Sequence, residues 1–238
     1  MKKMILALTL LALSSHAVGV TLTGRAFEAD YAVKRYGVTV ATTTLRAEPV
    51  AARQVKFSSV TTPTSVMAWF GGATISEESS WERGQGFAIR PIAYRYARDD
   101  RPTRNVTIAF DAEARRATST RGTDRKHFAL GEGTLDKLTV LLTMMDRVRS
   151  GDKPFTLTVA DHGREKVYEF VSEGIETIDT KLGSFATTKV TRRETGVTTR
   201  SITYWCAASL NNLPVLIRYQ DGEDELVLKL VRFERRLG

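Results

Sequence analysis

AFEADYAV at 26–33 and GVTVATTTL at 37–45 decide the fold. The first stretch alternates: Phe27, Ala29, Tyr31 and Val33 fall on one side, Glu28 and Asp30 on the other. That two-residue period belongs to a strand with one face buried. The second stretch is rich in Val and Thr, which suit a pleated surface. Tyr36-Gly37 between them reads as a turn.

The same grammar continues outward. Strands are predicted over 55–61, 75–83, 87–98, 105–111 and 116–121, then over 155–160, 166–172, 185–192, 200–205, 215–220 and 226–235. Gly84-Gln85-Gly86, Asp99-Asp100, Asp161-His162-Gly163 and Asp221-Gly222 punctuate them as turns.

Two segments break the strand period. TSVMAWF at 64–70 follows Pro63, stops at Gly71-Gly72 and has room for one or two helical turns. LDKLTVLLTMMDRVR at 135–149 is the main predicted helix, with Thr134 as its N-cap and Gly151 as its stop. Leu135, Leu138, Leu141, Leu142, Met145 and Val148 form an apolar stripe at helical spacing.

Many antiparallel strands in one sheet must curl or close to manage their edges. The expected fold is therefore mainly β: a single strongly curved antiparallel sheet or open barrel, with one main helix against its concave face. No linker or fixed-period repeat is legible, so residues 18–238 are expected to form a single β-rich domain divided in two by the helix.

MKKMILALTLLALSSHA at 1–17 has a basic start, a short apolar run and small residues at Ser15 and Ala17. This is the pattern of a cleaved secretory signal peptide, with maturation at Val18 and a periplasmic address. The apolar run is too short for a stable bilayer anchor. The whole chain carries a formal charge of +8, which suits an anionic envelope surface as partner. Its arginines are scattered, with no compact basic tract or nucleic-acid-binding signature, so nucleic acid is not an expected partner. Cys206 is the only cysteine, which excludes an internal disulfide and a C-x-x-C redox site. It follows Tyr204-Trp205 in a strand-like run, where a packed thiol is expected.

No catalytic signature is legible. His127 and His162 lie outside any metal-ligand spacing, so no metal is expected. G-x-S-x-G is missing, so a nucleophile elbow has no support. Glu77, Glu78, Asp111, Asp161 and Asp179 could pair across strands as a glycosidase requires, but spacing alone does not pair them. Gly84-Gln85-Gly86 is a turn, and Gly131-Glu132-Gly133 lacks the strand–helix–strand frame of a nucleotide site. No cofactor is expected. Trp69-Phe70 before Gly71-Gly72 stands apart from the other aromatics as a possible rim lid or membrane-touching tip.

The order of several short motifs is informative. Phe27, Ala29 and Tyr31 open the series, then Glu78, Ser79 and Trp81, then Arg90, Pro91 and Tyr94, then Phe110-Asp111 and Leu135-Asp136. Leu182 to Val190, Tyr204-Trp205 and Leu213 to Ile217 close it. In this order the chain resembles the bacterial exported domain-of-unknown-function family 3108. The resemblance implies a periplasmic β-rich domain, and it carries over no functional residue. A helix on a curved sheet also looks like the periplasmic lipoprotein carriers, a likeness of fold alone.

The leading functional expectation is a non-enzymatic periplasmic protein that binds an apolar or amphipathic ligand, such as a lipid, or supports the envelope. Its expected ligand-binding residues are Trp69, Phe70, Leu138, Leu141, Leu142 and Met145. An envelope hydrolase acting on glycan or peptide is one alternative. A scaffold that binds partners through exposed strand edges is the other.

Overall fold

Alternation in the sequence becomes strand in the structure, a computed structural model that describes residues 25–69, 71–84, 88–194 and 199–235, with Trp69 and Glu194 described by backbone alone. The signal-peptide stretch 1–17, Phe70 and the Trp69 side chain lie outside the described residues.

Eight strands precede the main helix: β1 (Phe27–Arg35), β2 (Val38–Pro49), β3 (Gln54–Pro63), β4 (Ile75–Arg83), β5 (Ile89–Arg98), β6 (Val106–Asp111), β7 (Arg116–Arg121) and β8 (Asp124–Ala129). A short helix α1 (Ser65–Trp69) interrupts them. After helix α2 (Thr139–Ser150) come β9 (Phe155–Asp161), β10 (Arg164–Thr180), β11 (Gly183–Glu194), β12 (Arg200–Ala207), β13 (Leu213–Asp221) and β14 (Asp224–Arg235).

All fourteen strands join one antiparallel sheet, in the order β8-β7-β6-β5-β4-β3-β2-β1-β14-β13-β12-β11-β10-β9. The sheet is thus two meanders sewn together by β1 and β14, which pair from Phe27↔Arg235 to Lys34↔Val227. The predicted curved antiparallel sheet is the observed fold.

The curl can be read from single contacts. Strands β4 and β9 are far apart in sheet order, yet α2 and the segment before it touch both. Ser79 on β4 donates to Asp136 at 2.6 Å. Leu135 bridges Val159 of β9 in parallel, through Leu135 N–H to Thr158 O at 2.9 Å and Ala160 N–H to Leu135 O at 2.8 Å. Met144 lies against Cys206 of β12, Sγ to Sδ 3.8 Å. One helix reaches all three strands only if the sheet wraps around it. The two sheet edges also approach each other: the Lys126 side chain of β8 lies over Gly163, in the turn after β9. No ladder closes the gap between β8 and β9. The 130–138 connection covers part of it, and its bridge through Leu135 shields some of the open edge of β9.

The core lies on the concave face, where Phe27, Tyr31, Phe57, Trp81, Phe170 and Leu213 are fully buried. Leu142, Met144 and Met145 of α2 join the same cluster. Burial of each such side chain stabilises the fold by about 1.5–3 kcal/mol.

The helix start differs from the expected one. Thr134 does not cap it; its hydroxyl donates to Gly131 O and bonds Glu165. Asp136 caps instead. Its Oδ1 accepts from the Leu138 and Thr139 N–H groups at 2.8 and 2.9 Å, while Thr139 Oγ1 accepts from Asp136 N–H at 3.0 Å. This reciprocal pair has the logic of a capping box, one turn ahead of the regular helix that runs from Thr139. Leu135 stays outside the helix and bridges Val159 of β9. The helix ends where expected, with Gly151 left-handed at φ 80°.

Candidate functional site

Register places polar side chains in rows across the inner face of the first meander. Opposed residues in a sheet point the same way. Ser79, Tyr94, Ile108 and Ser119 form one row across β4 to β7. Glu77, Tyr96, Val106 and Arg121 form the next row outward. Arg98 follows two residues beyond Tyr96 on the same face. The inner row lies under the helix start and is buried. The outer row borders open space.

Two cavities occupy that space. The larger, about 580 Å³, combines apolar walls from Leu45, Leu138, Leu141, Ile217 and Leu228 with the charged Lys166, Arg192 and Arg200. Its volume is within the usual range of small-molecule sites. The smaller, about 260 Å³, is bordered by Tyr94, Tyr96 and Ile108 with Arg98, Arg104 and Arg121. The two abut at Glu77, Lys137, Asp161 and His162, which line both.

That junction is a dense set of titratable groups. Asp161 is buried and holds two ammonium groups: Lys137 Nζ at 2.6 Å from Oδ1 and Lys166 Nζ at 2.9 Å from Oδ2. His162 Nδ1 also bonds Oδ1. Burial alone would raise the Asp161 carboxyl, but the Lys137 charge and the two lysine hydrogen bonds outweigh it and hold it below the usual carboxylate range. Glu77 goes the other way. Burial raises it, and Lys137 and Tyr94 offset that only in part. Tyr94 is only 3% exposed, and its hydroxyl faces the Glu77 carboxyl without a hydrogen bond of normal geometry. Burial and the facing Glu77 carboxyl raise that phenol. On the far wall the Arg192 guanidinium lies over the Tyr168 ring, 4.1 Å from its centroid.

The expected site residues separate. Leu138 and Leu141 line the larger cavity. Leu142 and Met145, on the same stripe, face the packed core. Phe70 and the Trp69 side chain are outside the described residues. Of the five carboxylates singled out from sequence, Glu77 and Asp161 meet at the cavity junction. Glu78 pairs with Lys56 at 2.7 Å, Asp111 accepts from Ala114 N–H, and Asp179 accepts from Ser184. Lys137, Arg104 and Arg121 escaped the sequence reading, and Tyr94 entered it only as a motif residue. Tyr94 and Arg121 reach the site through register over β4 to β7, and Arg104 through the turn between β5 and β6. Among the described residues no group of three His, Cys, Asp or Glu is placed to hold a metal ion.

Comparison with known proteins agrees with this architecture. The family described as "Protein of unknown function (DUF3108)" matches residues 27–231. Among curated proteins none matches the chain. A solved structure, the "Beta-barrel-like Protein of Domain of Unknown Function DUF1849" from Brucella abortus, superposes with a TM-score of 0.61. The two are 13% identical, and the match covers 92% of this chain and 100% of that one. At that identity the likeness is one of fold.

Proposed function

We propose that this chain, which belongs to the DUF3108 family, is an exported, non-enzymatic binding protein that holds an apolar or amphipathic ligand between its curved sheet and α2. The observation that carries this reading is the cavity of about 580 Å³, in which apolar side chains of the sheet and α2 stand beside charged ones, next to the buried core. The signal-peptide pattern at 1–17 supplies the export, and a periplasmic address puts the protein among membrane-derived amphiphiles. The test is direct: the purified protein should enhance the fluorescence of neutral N-phenylnaphthylamine saturably. No enhancement would overturn the reading.

An envelope hydrolase is the second reading. Glu77 and Asp161 share one cavity junction, and their surroundings push them in opposite directions, as an acid–base pair requires. Against it, both Asp161 oxygens are occupied by lysine ammonium groups, which leaves a poor base for water. Turnover of chromogenic glycosides or peptides that disappears in both Glu77→Gln and Asp161→Asn would favour the hydrolase.

A further inference from the structure

We propose that the smaller cavity is an anionic head-group subsite, in which Arg104, Arg121 and Lys137 with the Tyr94 hydroxyl hold the carboxylate or phosphate head of a single-chain amphiphile. This rests on the binding reading above, with the tail in the larger cavity.

Charge balance is the first argument. Four cationic side chains, Arg98, Arg104, Arg121 and Lys137, line the smaller cavity against the carboxyls of Glu77 and Asp161. Arg98 is matched by Asp100, with its Nε donating to Oδ1 at 2.9 Å. Asp161 is matched by Lys137 and Lys166. Arg104 and Arg121 have no carboxylate partner among the described residues, and both are exposed at the cavity mouth. Glu77 opposes an incoming anion less than its count suggests, because burial favours its neutral form.

The second argument is an unmet hydrogen bond. Few buried polar groups in folded proteins lack a partner. Tyr94 lines this cavity, and its hydroxyl, a buried donor faced by the Glu77 carboxyl, makes no bond of normal geometry. A head-group oxygen that enters between Tyr94 and Glu77 would satisfy it.

The third argument is contiguity. Lys137 and Glu77 line both cavities, so a head in one and a tail in the other form one continuous ligand. Arginine suits the head because its planar fork meets carboxylate and phosphate oxygens in pairs. Low-dielectric walls from Val106 and Ile108 strengthen the attraction.

The experiment is displacement of bound N-phenylnaphthylamine by dodecanoate, dodecyl phosphate and dodecanol, three molecules that share one tail. The two anions should displace the probe at about tenfold lower concentration than the alcohol. In the double variant Arg104→Gln, Arg121→Gln that advantage should vanish, with probe and alcohol binding unchanged. Equal potency of all three ligands would overturn the subsite and leave the apolar cavity standing. An undiminished advantage in the double variant would do the same. Inorganic phosphate competing with dodecyl phosphate at equal concentration would make this a site for a free anion and overturn the amphiphile. A wild type that does not bind the neutral probe would overturn both readings together.

Discussion

Ser79 Oγ donates to Asp136 Oδ2 at 2.6 Å, and both residues are 0% exposed. This bond ties β4 to the start of α2 across the concave face. The same carboxylate caps the helix through its other oxygen. One side chain therefore satisfies two helix N–H groups and a buried hydroxyl.

Removing it should be expensive. Asp136→Ala loses the cap and leaves those three donors unmet, so a loss of about 2–4 kcal/mol is expected in urea unfolding. Asp136→Asn keeps the Oδ1 acceptor and should lose less than half as much. Equal losses in the two variants would show that the cap is not the source of the effect.

Asp161 gives a pH signature. Its folded value lies below the ordinary 3.8 of an aspartate, so near that value the unfolded chain binds more protons. Stability then rises with pH across that window. The contribution is whole above about pH 4 and fades as pH falls through the depressed folded value. Asp161→Asn should be roughly 1–3 kcal/mol less stable near neutrality. The gap to wild type should narrow progressively in more acidic urea titrations. A gap that stays constant down to about pH 3 would contradict the ion-pair account.

Burial gives Cys206 a testable inertness. The thiol is 0% exposed, packs on Met144, and has its acidity suppressed by desolvation. Because the thiolate is the reactive form, maleimide should label the native protein far more slowly than the urea-unfolded chain. Rapid stoichiometric labelling of folded protein would mean that β12 does not lie under the helix.

Two glycines separate edge closure from turn strain. Gly163 has φ +83°, and a Cβ there would lie 2.6 Å from Lys126 Cδ of the opposite sheet edge. Gly222 has φ +60° in the two-residue hairpin loop between β13 and β14, and a Cβ there would meet nothing within 4 Å. Alanine at either position costs about 1–2 kcal/mol for the left-handed backbone. Only Gly163→Ala should add a clash between the β8 and β9 edges. Its melting temperature should therefore fall further than that of Gly222→Ala. Equal falls would place the two edges farther apart than described.

What the sequence disclosed follows from where burial writes a pattern. β1 was legible because Phe27, Ala29, Tyr31 and Val33 are all buried, which puts an apolar side chain at every second position. β8 was not, because Asp124 to His127 are all exposed and no face is selected. β10 was expected to end at Ser172 but runs to Thr180, since residues 173–177 are exposed and gain strand form only from pairing with β11. The Asp136 cap was invisible because Thr134 is an equally good local candidate, and the choice is made by Ser79, far away in sequence. The cavity was hidden for a similar reason. Glu77, Tyr94, Arg121 and Asp161 meet only after register and sheet curl have been set. The apolar stripe of α2 was legible, but not its division between core and cavity, since hydrophobic spacing is the same for both.

That division supplies the last prediction. Leu141 lines the larger cavity, and Leu142 is 1% exposed within the packed core. The two are neighbours in sequence and identical in chemistry. Leu142→Trp must overpack, at about 1–3 kcal/mol, and should lower the melting temperature by several degrees. Leu141→Trp has free volume to enter. It should leave the melting temperature nearly unchanged and abolish N-phenylnaphthylamine binding by filling the cavity. Equal destabilisation by both variants, with no probe bound by the wild type, would make α2 core on every side and remove the reason for a ligand. Retained probe binding in Leu141→Trp would place the ligand elsewhere on the sheet.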